Sequence, residues 1–226
     1  MKNLLIFVGP SGVFHPEHEI LTKIQIDNSL ELGWKVEDMV LVTNFPYEYR
    51  GVKSYVIRGD FDALDGNRSS KILAINQLFK DGVIGDDIYW FHDHDAFQLE
   101  PMRDPNLGDC VAGFTSEGWS SRWNAGSFFF TKEAEDIFLK IYETMIERKT
   151  NEQDALTYLW GQGLAGYKLL NNTYNMGMYH IPEVYGKVDK PLIVAHFHPH
   201  KPKHLKLFRE LLPKRLLSIF NQHGIK

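Results

Sequence analysis

The pattern that most restricts this chain is a series of short apolar runs, each closed by turn residues, with helix-patterned stretches between them. Leu4–Val8 is continuously apolar and stops at Gly-Pro-Ser-Gly. A run that short and that uniform fits a strand buried on both faces, as at the centre of a parallel sheet. In "HPEHEILTKIQIDNSLELG", Pro16 suits a first helical position, Glu17 and Glu19 the positive helix start, and Gly33 the stop. Residues 36–43 and 52–57 read as strands. Residues 68–82 read as a helix with Ile72, Ile75 and Phe79 on one face, ended by Gly82, and 87–92 as the next strand. This alternation predicts an α/β domain with a largely parallel sheet.

Beyond residue 100 the order loosens. A strand is expected at 127–131, helices near 132–148 and 152–160, a strand at 192–197, and a basic amphipathic helix near 203–222 that Pro213 breaks or kinks. No internal repeat, low-complexity run or linker divides the 226 residues, so one large domain is expected. Apolar residues at 43% supply its core.

A net charge of −4 gives no general attraction to nucleic acid or anionic membrane, yet residues 201–226 hold seven Lys or Arg against Glu210 alone. Cys110 is the only cysteine, which excludes an intrachain disulfide and a thiolate metal cluster and favours a reducing setting. The apolar run at the start is shorter than a signal peptide's, and no segment reaches the ~18 apolar residues of a membrane span. A cytoplasmic protein is expected, with peripheral membrane contact through the basic tail as an option.

The chemistry-bearing segment is "IYWFHDHDAFQLEP", residues 88–101, where a buried-looking strand runs into Asp93 and Asp95. Ligands of open α/β sheets bind beyond the carboxyl ends of the strands. In extended backbone, residues i and i+2 point the same way, so the two carboxylates would meet at one spot. Hard oxygen ligands suit Mg²⁺ or Mn²⁺, ions that commonly bind one or two carboxylates plus a substrate's phosphates. A solvated acidic turn or structural ion pairs would also account for a bare Asp-x-Asp. His92-Asp93 matches the pair found in metal phosphohydrolases, but there it lies among helices, whereas "IYWF" reads as strand.

Three more segments follow in order: "WNAGSFFF" (123–130), "NEQDAL" (151–156) and "HFHPHKP" (196–202). With "DHD" they resemble the nucleotide-sugar-dependent glycosyltransferases of the GT-A fold, over the span Asp93–Pro202. The likeness is greatest to the retaining family 8 group of glycogenin and the bacterial lipopolysaccharide galactosyltransferases. The resemblance implies a single Rossmann-like GT-A domain over 1–226. Residues 1–100 would form the nucleotide-binding half, 101–200 the acceptor and catalytic half, and 201–226 a basic helical tail. It implies Asp95 and His196 as metal ligands and Asp93 as a metal or ribose contact. Lys201 would meet the donor diphosphate, and Asn124 and Gly126 would line the sugar pocket. Glu152, Gln153 and Asp154 match the family's catalytic Asp-Gln-Asp, with Glu152 where Asp is usual. Arg68 and Lys71 correspond to basic donor contacts.

The implied activity is metal-dependent transfer of a sugar, as by a hexosyltransferase, with Mn²⁺ or Mg²⁺ and a UDP-sugar as the default donor. The acceptor is open: a glycan, a lipid-linked saccharide or a DNA base. A nucleotidyltransferase of related fold that releases pyrophosphate is the second reading, and a sugar- or nucleotide-binding protein without turnover the third. Trp119, Arg122 and Trp123 could form an acceptor platform or a partly buried loop cluster. His198 and His200 read as loop residues shaped by Pro199. His15 belongs with a helix start more simply than with a metal-binding pair to His18. The tail reads as a packed helix with a solvated basic face, or as a segment that meets an anionic surface or polyanion.

Overall fold

The computed structural model describes the chain except for residues 10, 60–69, 118–121, 178–184 and 226. Strand β1 (Lys2–Phe7) lies at the centre of an eight-stranded sheet and pairs in parallel with β2 (Met39–Thr43) and β5 (Tyr89–His92). Beyond β2 come β4 (Val52–Val56), parallel, and the two-residue β3 (Glu48–Tyr49), antiparallel. On the other side β8 (Trp123–Phe130) runs antiparallel to β5 and to β7 (Ala112–Ser116), which pairs in parallel with β9 (Tyr167–Leu170). A second sheet of three strands has the order β10 (Met176–Gly177), β11 (Val194–His196), β6 (Ala96–Gln98).

The large sheet is covered on both faces, as its uniformly apolar strands require. Period two along β5 and β8 sends Tyr89, Phe91, Phe128 and Phe130 to one face, and Trp90 and Phe129 to the other. Helices α2 (Ser70–Lys80), α3 (Glu135–Arg148) and α4 (Glu152–Gly161) cover the first face through Ile72, Ile75, Leu78, Phe138, Ile141 and Leu156. Helix α1 (Pro16–Glu31) covers the other. The buried side of α1 is partly polar: Gln25 Nε2 donates to the carbonyls of His94 and Ala96, and Asn28 Nδ2 to that of Gln98. In this way α1 satisfies the backbone that leaves β5.

Three expectations are corrected. Val36–Asp38 forms a 3-10 turn and only Met39 opens β2. The strand expected at 127–131 starts earlier, at Trp123. The single basic helix near 203–222 is two helices, α5 (Pro202–Phe208) and α6 (Lys214–Gln222), because Pro213 brings no N–H and its ring clashes with the carbonyl four residues back. Both pack inward through Leu205, Phe208, Leu216, Ile219 and Phe220 against Leu21, Ile24, Phe97 and Phe197. Among the described residues, no helix is long and apolar enough to cross a membrane.

Candidate active site

The acidic segment sits where the sequence places it, at the carboxyl end of β5, but not by strand pleat. Residues 94 and 95 lie in a turn closed by Ala96 N donating to Asp93 O at 3.0 Å. The turn is pinned on three sides. Asp93 N donates to Gly126 O at 2.8 Å, Phe197 N donates to Asp95 O at 2.8 Å, and Gln25 holds the His94 carbonyl. Two carboxylates thus converge because a tight turn folds them together, and β8 and β11 flank it. Burial pushes His94 down to about 4, so the ring is neutral and fills the turn's inner side. Its Nε2 lies 3.0 Å from the Ile6 carbonyl, which can only accept, so the proton of the neutral ring is on Nε2, and Nδ1 lies 2.9 Å from the Thr22 hydroxyl oxygen.

Asp93, Asp95 and His196 bring one ligand atom each to a common space, all within 4.8 Å of one another. His196 Nε2 lies 3.2 Å from Asp95 Oδ1, and His198 Nδ1 lies 2.8 Å from Asp95 Oδ2. Burial alone would raise the Asp95 pKa, but the two imidazoles outweigh it and hold the carboxyl well below its usual range. For His196 burial works against the charged ring, yet Asp95 prevails and the pKa is raised. The histidine at 198, expected as a loop residue, is therefore a direct partner of the acidic turn.

His196 stands over Gly126. A Cβ built on that glycine would lie 2.1 Å from the His196 Cε1 and 2.3 Å from its Nδ1, so only a residue without a side chain leaves room for the ring. Asn124 Oδ1 accepts from Gly126 N at 2.9 Å and fixes the same stretch of β8. Behind the ring, Asn175 Oδ1 lies 3.2 Å from His196 Nδ1. No motif or spacing in "NNTYNMG" points to Asn175.

Lys71 reaches in from α2. Its ammonium lies 2.9 and 3.0 Å from the two oxygens of Asp93, 3.0 Å from the Ala125 carbonyl and 3.3 Å from Glu152 Oε1. Burial would lower the Lys71 pKa, but the two carboxylates outweigh it and the group stays charged. Glu152 is buried at the start of α4, and its Oε2 has no hydrogen-bond partner among the described residues. Beside it Gln153 Oε1 accepts from Ala125 N at 3.1 Å. Asp154 closes the helix start: Asn151 Oδ1 accepts from Asp154 N, while the Asp154 carboxylate takes hydrogen bonds from Asn151 Nδ2 at 2.9 Å and Arg122 Nε at 3.0 Å.

Lys201 is exposed at the N-cap of α5, five residues after His196. Arg68 and Trp119 lie outside the described residues. Trp123 is 1% exposed and packs edge-on against Phe114, Trp160 and Tyr167, so it cannot serve as an acceptor platform.

No protein-family model matches the chain, and no curated protein sequence does. Solved structures do. The galactosyltransferase LgtC, in complex with donor and acceptor sugar analogues, superposes with a TM-score of 0.62 at 16% identity, over 97% of this chain and 100% of that one. A glycosyltransferase involved in glycosylation of the major capsid of PBCV-1 gives 0.57 at 12%, over 93% and 99%. Mouse xyloside xylosyltransferase 1 in its apo form gives 0.53 at 12%, over 86% and 96%. The fold of this chain is the GT-A fold of these proteins.

Proposed function

We propose that the chain is a metal-dependent glycosyltransferase that moves a sugar from a nucleoside-diphosphate donor, in the first instance a UDP-sugar, to an acceptor. The observation that carries this is the meeting of Asp93, Asp95 and His196 within 4.8 Å, at the carboxyl edge of a GT-A sheet. Two carboxylates and one imidazole suit Mn²⁺ or Mg²⁺. The chemistry supplied there by such an ion is neutralisation of the departing nucleoside diphosphate.

The remaining groups have separate tasks. Lys71 fixes Asp93 and Glu152 relative to each other, with its ammonium turned to protein groups rather than outward. Glu152, whose buried Oε2 has no hydrogen-bond partner among the described residues, would accept from a hydroxyl of the transferred sugar. Gln153, anchored to β8, stands next to it, and Asp154 holds the start of α4. Asn124 and Gly126 shape the pocket floor under His196, and Lys201 supplies an exposed charge for the diphosphate. The exposed cations Lys203, Lys206, Arg209 and Lys214 continue from Lys201 and would face an anionic acceptor, either lipid-linked or DNA.

Nucleotide sugars screened for Mn²⁺-dependent thermal stabilisation identify the donor, and transfer is then measured with Asp95→Ala. The variant should lose metal-dependent donor binding and turnover while it keeps its fold. Undiminished transfer by Asp95→Ala, or by protein stripped of divalent ions, would overturn the proposal. Pyrophosphate release from a nucleoside triphosphate would instead mark a nucleotidyltransferase. Donor binding with neither transfer nor hydrolysis would mark a binding protein.

A further inference from the structure

His196 is held on three sides. Nε2 faces Asp95, the ring lies against Gly126, and Nδ1 faces Asn175 Oδ1 at 3.2 Å. Asn175 is 1% exposed and follows the 3-10 turn Asn172–Tyr174 just before β10. Its Nδ2 donates to Thr115 Oγ1 at 3.0 Å and lies 3.4 Å from the Asn124 carbonyl oxygen. A carbonyl oxygen can only accept, so the amide nitrogen must face Asn124 and the amide oxygen must face His196. His196 therefore carries a proton on Nδ1. A neutral ring so fixed has its lone pair on Nε2, the atom that looks into the space between Asp93 and Asp95.

We propose that Asn175 is the positioning residue of the cation site: by accepting the Nδ1 proton it fixes His196 as an Nε2 ligand and aims that nitrogen at the ion. Metal-bound histidines regularly give their other ring N–H to such an acceptor, and this partner sets the ring's orientation and its strength as a ligand. Asn175 touches neither the ion nor a substrate. Its effect passes through His196, and Thr115 and Asn124 hold it in turn.

This rests on the metal reading above, and the test separates the two. Mn²⁺ is titrated into the parent, Asn175→Ala and Asn175→Asp without donor, and free Mn²⁺ is followed by electron paramagnetic resonance. Thermal midpoints are taken in metal-free buffer. Asn175→Ala should bind Mn²⁺ about 10- to 100-fold more weakly while still folded. Asn175→Asp keeps an acceptor for the Nδ1 proton but turns its second oxygen to the Asn124 carbonyl, so it should lose thermal midpoint while binding Mn²⁺ more tightly than Asn175→Ala. With Cd²⁺ as a diamagnetic probe, ¹⁵N-histidine NMR of the parent should show His196 protonated at Nδ1 and metal-shifted at Nε2. Equal Mn²⁺ affinity of folded Asn175→Ala and parent, or ligation through Nδ1, would overturn the inference alone. Equal loss of affinity and of thermal midpoint in both variants would reduce Asn175 to a structural filler and overturn it too. A parent that binds no Mn²⁺ would overturn the metal reading and this inference with it.

Discussion

The Lys71 ammonium lies 2.9 and 3.0 Å from the two carboxylate oxygens of Asp93, and the same nitrogen is 3.3 Å from Glu152. One charge on α2 therefore joins the end of β5 to the start of α4. The Lys71 side chain is only 11% exposed, so solvent does little to screen the pairing. Two acids that would otherwise repel are held in fixed relation by this shared cation.

Lys71→Met should thus leave two carboxylates without their shared cation and cost about 3–5 kcal/mol of stability, read from urea unfolding. Lys71→Met with Glu152→Met should recover part of this, because one of the uncompensated charges is gone. A loss below about 1 kcal/mol in the single variant would put the cluster on a level with ordinary surface pairs.

Gly126→Ala places a methyl group where the His196 ring stands, with Cε1 only 2.1 Å from the new Cβ. The strand can tolerate alanine and the ring cannot stay. Stability should fall by about 1–3 kcal/mol, whereas Mn²⁺-dependent transfer should fall at least about tenfold. Unchanged metal dependence in a folded Gly126→Ala protein would separate His196 from the metal.

Stability should fall as the pH drops below about 6.5, the usual histidine value. Burial pushes His92 down to about 3 and His94 down to about 4. Between pH 6.5 and about 4 the unfolded chain takes up protons that these native rings refuse, each approaching about 1.4 kcal/mol per pH unit. His196 has the opposite sign: its pKa is raised, so its contribution is complete below the unfolded value and is lost as the pH rises through the folded one. Below pH 6.5 His196 is protonated in both states and adds no slope, whereas burial also lowers His18 and His204, so the net change on acidification is a loss. Urea midpoints of metal-free protein at neutral and mildly acidic pH check this, and a rise on acidification contradicts it.

If Gln153 and Glu152 flank the anomeric carbon, the product should keep the configuration of the donor. Asp154, whose carboxylate is held by Arg122 and Asn151, is then not available to act as general base for inversion. NMR of the first-formed product's anomeric centre decides, and an inverted product would count against the assignment of these residues while leaving the fold untouched.

Arg215 should behave unlike the other basic residues of the tail. Its guanidinium bonds the Leu99 carbonyl at 2.7 Å and Asn28 Oδ1, so it anchors α6 to α1 and the end of β6. Arg215→Ala should therefore lower the thermal midpoint. Reversal of Lys206, Arg209 and Lys214 to Glu should leave the fold and donor hydrolysis intact and weaken transfer to an anionic acceptor, more so at low salt. Equal loss of transfer and hydrolysis in the triple variant would remove the acceptor role of this face.

The sequence by itself determined the strands buried on both faces, the helices between them and the acidic segment at a strand's end. These follow from local properties: β1, α1, α2 and β5 each carry their own periodicity and their own stop residues. It also marked Asp93, Asp95 and His196, because the resemblance lay in residue types and their order. What it could not determine was how those residues reach one another. The carboxylates meet through a turn at 93–96 rather than through the pleat, since Gln25 of α1 holds the His94 carbonyl and the Ile6 carbonyl of β1 holds the His94 ring, from 69 and 88 residues away in the chain. Gly126 is needed for the ring of His196, and Asn175 for the proton on that ring, yet each lies 21 or more residues from His196 in sequence. Lys71 and Glu152 share a charge only because α2 and α4 pack on the same face of the sheet. Such relations carry no period or spacing. They arise when packing removes water and each buried polar atom must find a partner in space, and only the tertiary structure decides which atom that is.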